Sequence, residues 1–263
     1  MSILGKRNTP DPPSIALTLL VQSYNNPQHV REIYHTLAAH ALAIRAQFTP
    51  SVTVALVILE KGTCTEDELA LPPIATPIDV TFHALSNNGR EYGAYLWYTS
   101  THYDTLHGHY VFTSANLPKH DRRKRLSHAL ALSTTLIAGQ EFPLPRRSGR
   151  TRKGKHGVDY GYVVEEYMGQ EQTPAEVRPF GAWFERCVCP QEDVPFHATW
   201  RGQTDGFSNG VVVGTGAKMK ARLSKAAWQE LYDQTERGGN APEVGHYLEK
   251  ASYWLWAPYP DEM

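Results

Sequence analysis

A short polar segment, Asn88-Gly89-Arg90-Glu91, carries the residues best placed for chemistry in this chain. Asn-Gly is a turn signal, and the tyrosine-rich residues that follow predict a helix from Arg90 towards His102. Free N–H groups at a helix start attract anions. A capped turn accounts for Asn-Gly and for Glu91. It does not account for Arg90, because a cation at a helix start is unfavourable unless it is paired or bound to a ligand.

A second carboxylate of interest is Glu249, on a helix predicted from Pro242 to Trp256. It lies beside an apolar stripe, and its aromatic neighbours in the sequence are Tyr247, Tyr253 and Trp254. Desolvated carboxylates are common at functional sites, so Glu249 is a candidate catalytic group. A solvated glutamate at the flank of a helix is the simpler alternative, and the sequence leaves both open.

Two basic clusters lie on either side of a predicted helix at residues 122–138. They hold 11 of the 26 basic residues, with Asp121 and Glu141 as the only acids between them. Such clusters are typical footprints for phosphate backbones, whereas a solvated helix start and an exposed loop would explain either one alone. The first cluster is Lys119, Arg122, Arg123, Lys124 and Arg125, and the second is Arg146, Arg147, Arg150, Arg152, Lys153 and Lys155.

Composition excludes several classes of protein. The formal net charge of −1 names no partner, and three cysteines are too few for a disulfide framework. Cys187 and Cys189 would share a face of a strand, but a zinc site needs more ligands, so we expect reduced thiols and no metal. Residues 1–14 lack the apolar core of a signal peptide, and no apolar run is long enough to span a membrane. We therefore expect a cytoplasmic protein.

Alternating strands and helices predict a single α/β domain over residues 15–258, with a twisted, mainly parallel sheet flanked by helices. Residues 1–14 are predicted to be a flexible tail, and a mobile basic insert is predicted near 143–158. The predicted strands are Ile15–Val21, residues 51–60, Ile78–Leu85, residues 109–115 and residues 211–216; further helices are predicted at residues 28–46 and 224–235. Ligands bind beyond the carboxyl ends of such strands, which singles out residues 23–26, 87–91 and 113–120.

The segments SNNGREYGAYLWYTSTHYDTL, YVFTSANLPKH, GVVVGTGAKMKARLSKAAWQELYD and GHYLEKASYWLW resemble a family known as a domain of unknown function. The resemblance extends from about Ser14 to Trp256, and its most specific part is the N-x-G-R-E turn. That family is distantly similar to glycosyltransferases of the A fold. Some fungal members are arginine-containing cyclodipeptide synthases, which join aminoacyl groups from charged tRNA, one of them arginine, into a diketopiperazine.

The resemblance implies binding of arginyl-tRNA and a second charged tRNA. An aminoacyl-tRNA is an activated ester, so no ATP or other cofactor is required. Arginine selection needs a carboxylate that faces the guanidinium, and proton removal from an α-amine needs a base. Glu91, Glu249 and Asp205 are the candidates, with the two roles left unassigned.

Other residues could support the same reaction. Backbone N–H groups at Asn88–Arg90, or His120, could stabilise an oxyanion. Ser23 and Ser114 lie at predicted strand ends, where an acyl-enzyme would form if the reaction uses one. An apolar pocket for the second amino acid could be lined by Tyr95, Trp97 and Trp254.

One departure from the glycosyltransferase pattern decides the order of the functional hypotheses. Those enzymes place an acidic D-x-D motif after the fourth strand, where this chain has Thr113-Ser114-Ala115-Asn116. Without a carboxylate there, metal-dependent sugar transfer is hard to support. We therefore expect aminoacyl transfer from tRNA first and transfer from a sugar nucleotide second, with a non-catalytic RNA-binding protein as the third hypothesis.

Overall fold

A computed structural model of the chain describes residues 15–48, 52–74, 77–117, 119–140, 160–189, 211–240 and 242–257. The strands are β1 (Ile15–Ser23), β2 (Val52–Glu60), β3 (Asp79–Ala84), β4 (His109–Ser114), β5 (Glu166–Tyr167), β6 (Gln170–Glu171) and β7 (Val212–Thr215). Five of them form the central sheet, in the order β3-β2-β1-β4-β7. The other two, β5 and β6, form a separate antiparallel hairpin.

The four strands β1 to β4 run parallel, and β7 pairs antiparallel with β4. Strands β2 and β3 extend the sheet on one side of β1, while β4 lies on the other side. This reversal of strand order makes the crevice between β1 and β4 a topological switch point, at the edge where the carboxyl ends of the parallel strands meet. The predicted fold class, an α/β fold with a mainly parallel sheet flanked by helices, is confirmed.

Eight α-helices of the described ranges flank or connect these strands. They are α1 (Pro27–Gln47), α2 (Glu66–Leu69), α3 (Arg90–Thr101), α4 (Lys119–Ile137), α5 (Phe180–Trp183), α6 (Gly216–Arg222), α7 (Lys225–Arg237) and α8 (Glu243–Trp256). Local signals explain several of their starts: Pro27 occupies the first turn of α1, and the Ser224 hydroxyl accepts a hydrogen bond from the Ala227 N–H at 3.2 Å before α7.

The two faces of the sheet bury different kinds of side chain. On one face, α1 and α4 pack aliphatic residues such as Leu37 and Leu130 against Leu19 of β1. On the other face, α3 and α5 to α8 pack a core rich in aromatic rings, including Tyr95, Trp183, Trp228, Tyr247 and Trp256. We call these the aliphatic layer and the aromatic layer. In a strand, alternate residues face opposite sides, so β1, β2, β4 and β7 each contribute to both layers.

The segment between residues 160 and 189 holds elements that the sequence did not predict. It contains the β5–β6 hairpin, α5 and a π-helical turn over Phe184–Val188. Cys187 lies in that turn and Cys189 follows it, so the expectation that both share a face of a strand is wrong. Cys64, Cys187 and Cys189 form no disulfide.

Two predicted features lie outside the described residues, namely the tail at 1–14 and the basic insert near 143–158. Within the described ranges, none of the helices combines the length and apolar character that a membrane crossing requires.

Candidate active site at the carboxyl edge of the sheet

The turn before α3 has an unusual backbone. Gly89 and Arg90 both adopt left-handed conformations, with φ of 69° and 52°. Gly89 is required here because a Cβ at this position would lie 2.5 Å from the Cβ of Thr235 on α7. The sequence suggested that backbone N–H groups of this turn could stabilise an oxyanion. The Gly89 N–H is not free to do so, because it donates to the carbonyl of Gly239 at 2.9 Å. A left-handed residue other than glycine costs about 1–2 kcal/mol, so other contacts must hold Arg90 in place.

Lys61 supplies those contacts. It directly follows β2 and is only 4% exposed. Its Nζ donates hydrogen bonds to the carbonyl oxygens of Asn88 and of Arg90, the latter at 2.7 Å. The Asn88 side chain in turn donates to Glu236 of α7 at 3.3 Å. The turn is thus fixed from the sheet by a lysine and from α7 by a carboxylate.

Glu91 lies in the first turn of α3 and is partly buried. Burial raises the pKa of its carboxyl group; the negative charge of Glu249 acts in the same direction. The Glu91 backbone N–H and the charges of Arg90 and Lys61 oppose this rise without cancelling it. A glutamate whose pKa is raised is a stronger proton acceptor than an ordinary carboxylate.

Glu249 lies on α8, and its side chain is 29% exposed. Burial alone would raise the pKa of this carboxyl group. The contact with His246, whose Nδ1 lies 3.8 Å from Oε2, and the positive charges of Lys250 and Arg90 outweigh that effect, so the pKa of Glu249 is lowered. The two glutamates singled out in the sequence therefore interact in the fold, although they come from distant parts of the chain, and their pKa values move in opposite directions.

Arg90 occupies the space between these carboxylates and the β5–β6 hairpin. Its guanidinium carbon lies 5.1 Å from the centre of the Tyr167 ring, and its Nη2 donates to the Gln172 side chain at 3.3 Å. The Tyr167 ring also packs against His246, with centroids 4.6 Å apart. The positive charge of Arg90 acts to lower the pKa of both glutamates, although the net pKa of Glu91 is raised. The hairpin thus forms one wall of the site.

Glu243 anchors that wall. This residue is fully buried at the start of α8, and each of its oxygens accepts two hydrogen bonds. Oε1 accepts from the Val164 N–H and the Tyr247 hydroxyl, both at 2.8 Å, and Oε2 accepts from the Ala175 N–H and Arg178 Nε, both at 2.9 Å. One carboxylate therefore fixes both ends of the segment that carries the hairpin.

Other predicted site residues lie in different surroundings. Tyr95 is 0% exposed in the aromatic layer, so its ring does not line an open pocket. The Ser114 hydroxyl donates to Gln22 at 2.7 Å on the aromatic-layer face. The Ser23 hydroxyl is buried on the opposite face without a hydrogen-bond partner. Trp97 and Trp254 are partly buried at the edge of the aromatic layer.

The first basic cluster begins α4, directly beyond the end of β4. Arg123 and Lys124 are exposed, and Arg125 is half-buried. Arg123 also borders a groove of about 460 Å³ between α1 and α4. The side chains of Lys119 to Arg122, including His120, lie outside the described residues, as do Asp205 and the second basic cluster.

Sequence reasoning missed the charged pair Glu60-Lys61. Because neighbouring residues of a strand face opposite sides, the two side chains leave β2 in opposite directions. Glu60 Oε1 accepts from the N–H groups of Asn25 and Gly62, at 2.9 and 2.7 Å, which holds the loop after β1. Two adjacent charges at the end of the apolar run VTVALVIL were the signal that could have identified them.

In the described ranges, no three histidine, cysteine or acidic side chains are grouped as ligands for a metal ion. Comparison of the chain with family models, with curated proteins and with solved structures gives no match.

Proposed function

We propose that the protein is a tRNA-dependent cyclodipeptide synthase, which joins arginine from arginyl-tRNA to a second aminoacyl group. The observation that carries the proposal is the interacting pair Glu91 and Glu249, whose pKa values are shifted in opposite directions beside Arg90. Neighbouring titratable groups with divergent pKa values are the usual basis for separate acid–base and charge-binding roles. The resemblance of the N-x-G-R-E segment to arginine-containing cyclodipeptide synthases supports the same reaction.

Glu249 is the residue that we assign to arginine selection. Its lowered pKa keeps it ionised at neutral pH, and its partial exposure leaves it accessible to a substrate. An ionised carboxylate binds a guanidinium through two parallel hydrogen bonds, and this geometry distinguishes arginine from lysine. The Tyr162 ring is close enough to Glu249 for that charge to raise the pKa of its phenol, after the larger effect of burial. It could stack on a bound guanidinium.

Glu91 is the residue that we assign to proton transfer. The α-amine of one aminoacyl group attacks the ester carbonyl of the other, and Glu91 accepts the proton that this nitrogen loses. A C–N bond forms, the ester C–O bond breaks, and the ribose hydroxyl of the tRNA leaves with a proton. A second attack of the same kind closes the ring and releases the other tRNA. An α-amine has a reference pKa of about 8, so a carboxylate with a raised pKa is a suitable base.

Arg90 is suited to stabilise the oxyanion that forms at the attacked carbonyl. Its guanidinium lies beside both glutamates, and a fixed donor aimed at developing charge is often the largest single contribution to catalysis. The exposed Arg123 and Lys124 on α4 would contact phosphates of the tRNA body.

The reaction is tested by supplying purified protein with arginyl-tRNA and a mixture of other charged tRNAs, followed by mass spectrometry. We expect arginine-containing cyclic dipeptides from the wild type and from the control Glu230→Gln, whose carboxylate lies on the exposed surface of α7 in an ion pair with Arg237. We expect none, or at least about a hundredfold less, from Glu249→Gln. If the wild type gives no cyclic dipeptide with any charged tRNA, the proposal is wrong.

Transfer from a sugar nucleotide is the second candidate. The observation in its favour is the switch point between β1 and β4, because doubly wound sheets bind nucleotides at such places. A parallel assay for hydrolysis or transfer with a panel of sugar nucleotides separates the two reactions.

A further inference from the structure

The structure assigns to Lys61 a positioning role: its ammonium group holds the turn at Asn88–Arg90 in its left-handed conformation and thereby orients Arg90 and Glu91 across the site. The consequence for catalysis rests on the proposed function of Arg90 and Glu91. The effect on the turn is a property of the chain itself and is measurable without any substrate.

Lys61 contacts the turn through two backbone carbonyl groups. Asn88 and Arg90 flank Gly89, and both of their carbonyl oxygens accept hydrogen bonds from the same Nζ atom. Lys61 is itself fixed, because its N–H donates to the carbonyl of Ser23 at 2.9 Å. The lysine therefore ties the turn to the carboxyl ends of β1 and β2.

Without Lys61, the turn would lose two hydrogen bonds and keep its strain. Left-handed backbone at Arg90 is strained for a residue with a Cβ, and the carbonyl oxygens of Asn88 and Arg90, both on partly buried residues, would each lose a donor. The contacts that remain include the Gly89 N–H to Gly239 hydrogen bond, the side-chain contact from Asn88 to Glu236, and the contacts of the Arg90 side chain with Tyr167 and Gln172. None of these involves the carbonyl oxygens of Asn88 and Arg90, so they do not replace the two hydrogen bonds from Lys61.

The surroundings of Lys61 suit a positioning role and not direct catalysis. Lys61 is 4% exposed, and two of its three ammonium protons are used by backbone carbonyls. A nucleophile or base needs a free lone pair with access to the substrate. In its protonated state, Lys61 has no free lone pair, and its burial keeps a substrate from reaching it. It therefore acts on the reaction through Arg90 and Glu91.

The protonation of Lys61 sets the pH range in which the turn is held most firmly. Burial lowers its pKa to about 8, although the negative charges of Glu236 and Glu91 act in the opposite direction. The charged groups around it come from α7 (Glu236), from α3 (Arg90 and Glu91) and, through Glu91, from α8 (Glu249), while Glu60 on β2 faces the other side of the sheet. A neutral amine donates weaker hydrogen bonds, so restraint of the turn should decline as the pH rises through about 8.

The test uses Lys61→Met, which keeps the length of the side chain and removes its donors and charge, and Lys61→Gln, which keeps an amide donor. The matched control is Lys225→Met, since Lys225 is half-exposed and pairs with Asp104 on the surface. Hydrogen exchange is measured by mass spectrometry or NMR at the amides of Gly89 and Gly93, whose N–H groups donate to Gly239 and Gly89. Rates are corrected for the intrinsic effect of pH.

We expect exchange at these two amides to be at least about tenfold faster in Lys61→Met at pH 7, intermediate in Lys61→Gln and unchanged in the control. In the wild type, protection should fall across about pH 8, and this step should be absent in Lys61→Met. Unchanged protection in Lys61→Met would overturn the inference whatever the activity. Should Lys61→Met fail to fold, the comparison of Lys61→Gln with the wild type decides in the same way.

Activity provides the second readout. In the arginyl-tRNA assay, we expect kcat to fall about 10- to 100-fold in Lys61→Met, with KM nearly unchanged, as for other residues that orient catalytic groups. Equal kcat in Lys61→Met and the wild type would remove the catalytic part of the inference. Loss of protection together with absence of product in the wild type would leave Lys61 as the holder of the turn and refute the proposed function alone.

Discussion

The aliphatic layer and the aromatic layer pack on opposite faces of the same sheet, but they differ in the polar contacts that their side chains make. The aliphatic layer consists largely of valine, leucine and isoleucine side chains, which offer no polar contacts. In the aromatic layer, tryptophan N–H groups are hydrogen-bonded inside the core: Trp183 donates to Gln234 at 2.8 Å, Trp228 to the Met219 carbonyl at 3.2 Å and Trp256 to Thr99 at 3.3 Å. A core of this kind can accept charged residues at its margin, because partners for polar atoms are close at hand.

The difference explains where the candidate site lies. Glu91, Glu249 and Lys61 all belong to the aromatic side, where α3, α7 and α8 meet. On the aliphatic side, α1 and α4 pack against the sheet, and Arg123 and Lys124 of α4 are exposed. We therefore expect substitutions in the two layers to have separable effects on chemistry and on stability.

The largest effect is expected for Glu91→Gln. Loss of the proposed base should lower kcat by about 10²–10⁴, while the protein stays folded. The pKa of Glu91 is raised in the folded state, so its favourable contribution to stability is present at low pH and is lost as the pH rises through that folded pKa. Glutamine avoids this loss, so Glu91→Gln should unfold at a higher temperature than the wild type at pH 7 to 8. Thermal scans at pH 4.5 and 7.5, together with the arginyl-tRNA assay, measure both effects.

Two outcomes would contradict the assignment of Glu91. The first is activity within a few-fold of wild type in Glu91→Gln. The second is a lower melting temperature at pH 7.5 than in the wild type, since it would mean that the ionised carboxylate stabilises the fold. Glu230→Gln again serves as the control, because its carboxylate is exposed and should leave both measurements nearly unchanged.

A matched pair of core substitutions compares the layers directly. Leu37 in the aliphatic layer and Leu231 in the aromatic layer are both 0% exposed, so alanine at either position should cost about 2–5 kcal/mol of unfolding free energy. Leu231 lies on α7, which also holds the turn through Thr235 and Glu236. Only Leu231→Ala should therefore lower kcat as well. Denaturant titrations and kcat measured well below the melting temperature test this, and equal kcat in both variants would remove the functional distinction between the layers.

The smallest effect on chemistry is expected from the basic start of α4. Alanine at Arg122, Arg123, Lys124 and Arg125 should raise KM for the charged tRNA and change kcat little, because these residues would contact the tRNA body. The slope of log affinity against log salt should become less steep by about 0.7–0.9 per lost phosphate contact. Gel shifts at two salt concentrations measure the slope. The control is the pair Lys225→Ala and Arg237→Ala, whose charges are already neutralised by Asp104, Glu176 and Glu230. Absence of tRNA binding by the wild type at low salt would refute this role.

Much of the fold was predictable because its signals are local. The apolar runs of β1 and β2, the helical spacing of α1 and the Ser224 cap of α7 each depend on residues that are neighbours in the chain. The β5–β6 hairpin was not predictable in this way, because strands of two residues carry no periodicity. The antiparallel direction of β7 depends on the path of the preceding chain and not on its own residues.

The residues of the candidate site also differ in whether neighbouring residues in the sequence could identify them. Glu91 and Glu249 could each be selected from their sequence neighbours, but their interaction depends on how α8 packs against α3. Lys61 escaped notice because a lysine that follows a strand is ordinarily solvated. The burial of Lys61 depends on the carbonyl groups of Asn88 and Arg90, which belong to another loop and accept its hydrogen bonds. Charged residues with partners distant in sequence are therefore the part of such a site that patterns miss.

The double attachment of Val164 and Ala175 to Glu243 has a consequence for the evolution and engineering of this protein. We expect the hairpin between these two positions to be replaceable as a unit, because both of its ends bind one buried carboxylate and residues 165–171 are exposed. The entropic cost of closing a loop grows slowly, by about 0.6 kcal/mol for each doubling of length. We therefore expect that a hairpin of different length or sequence can replace Tyr167 and its neighbours. Such a replacement would change what the wall of the site contacts, while the sheet and both layers keep their packing.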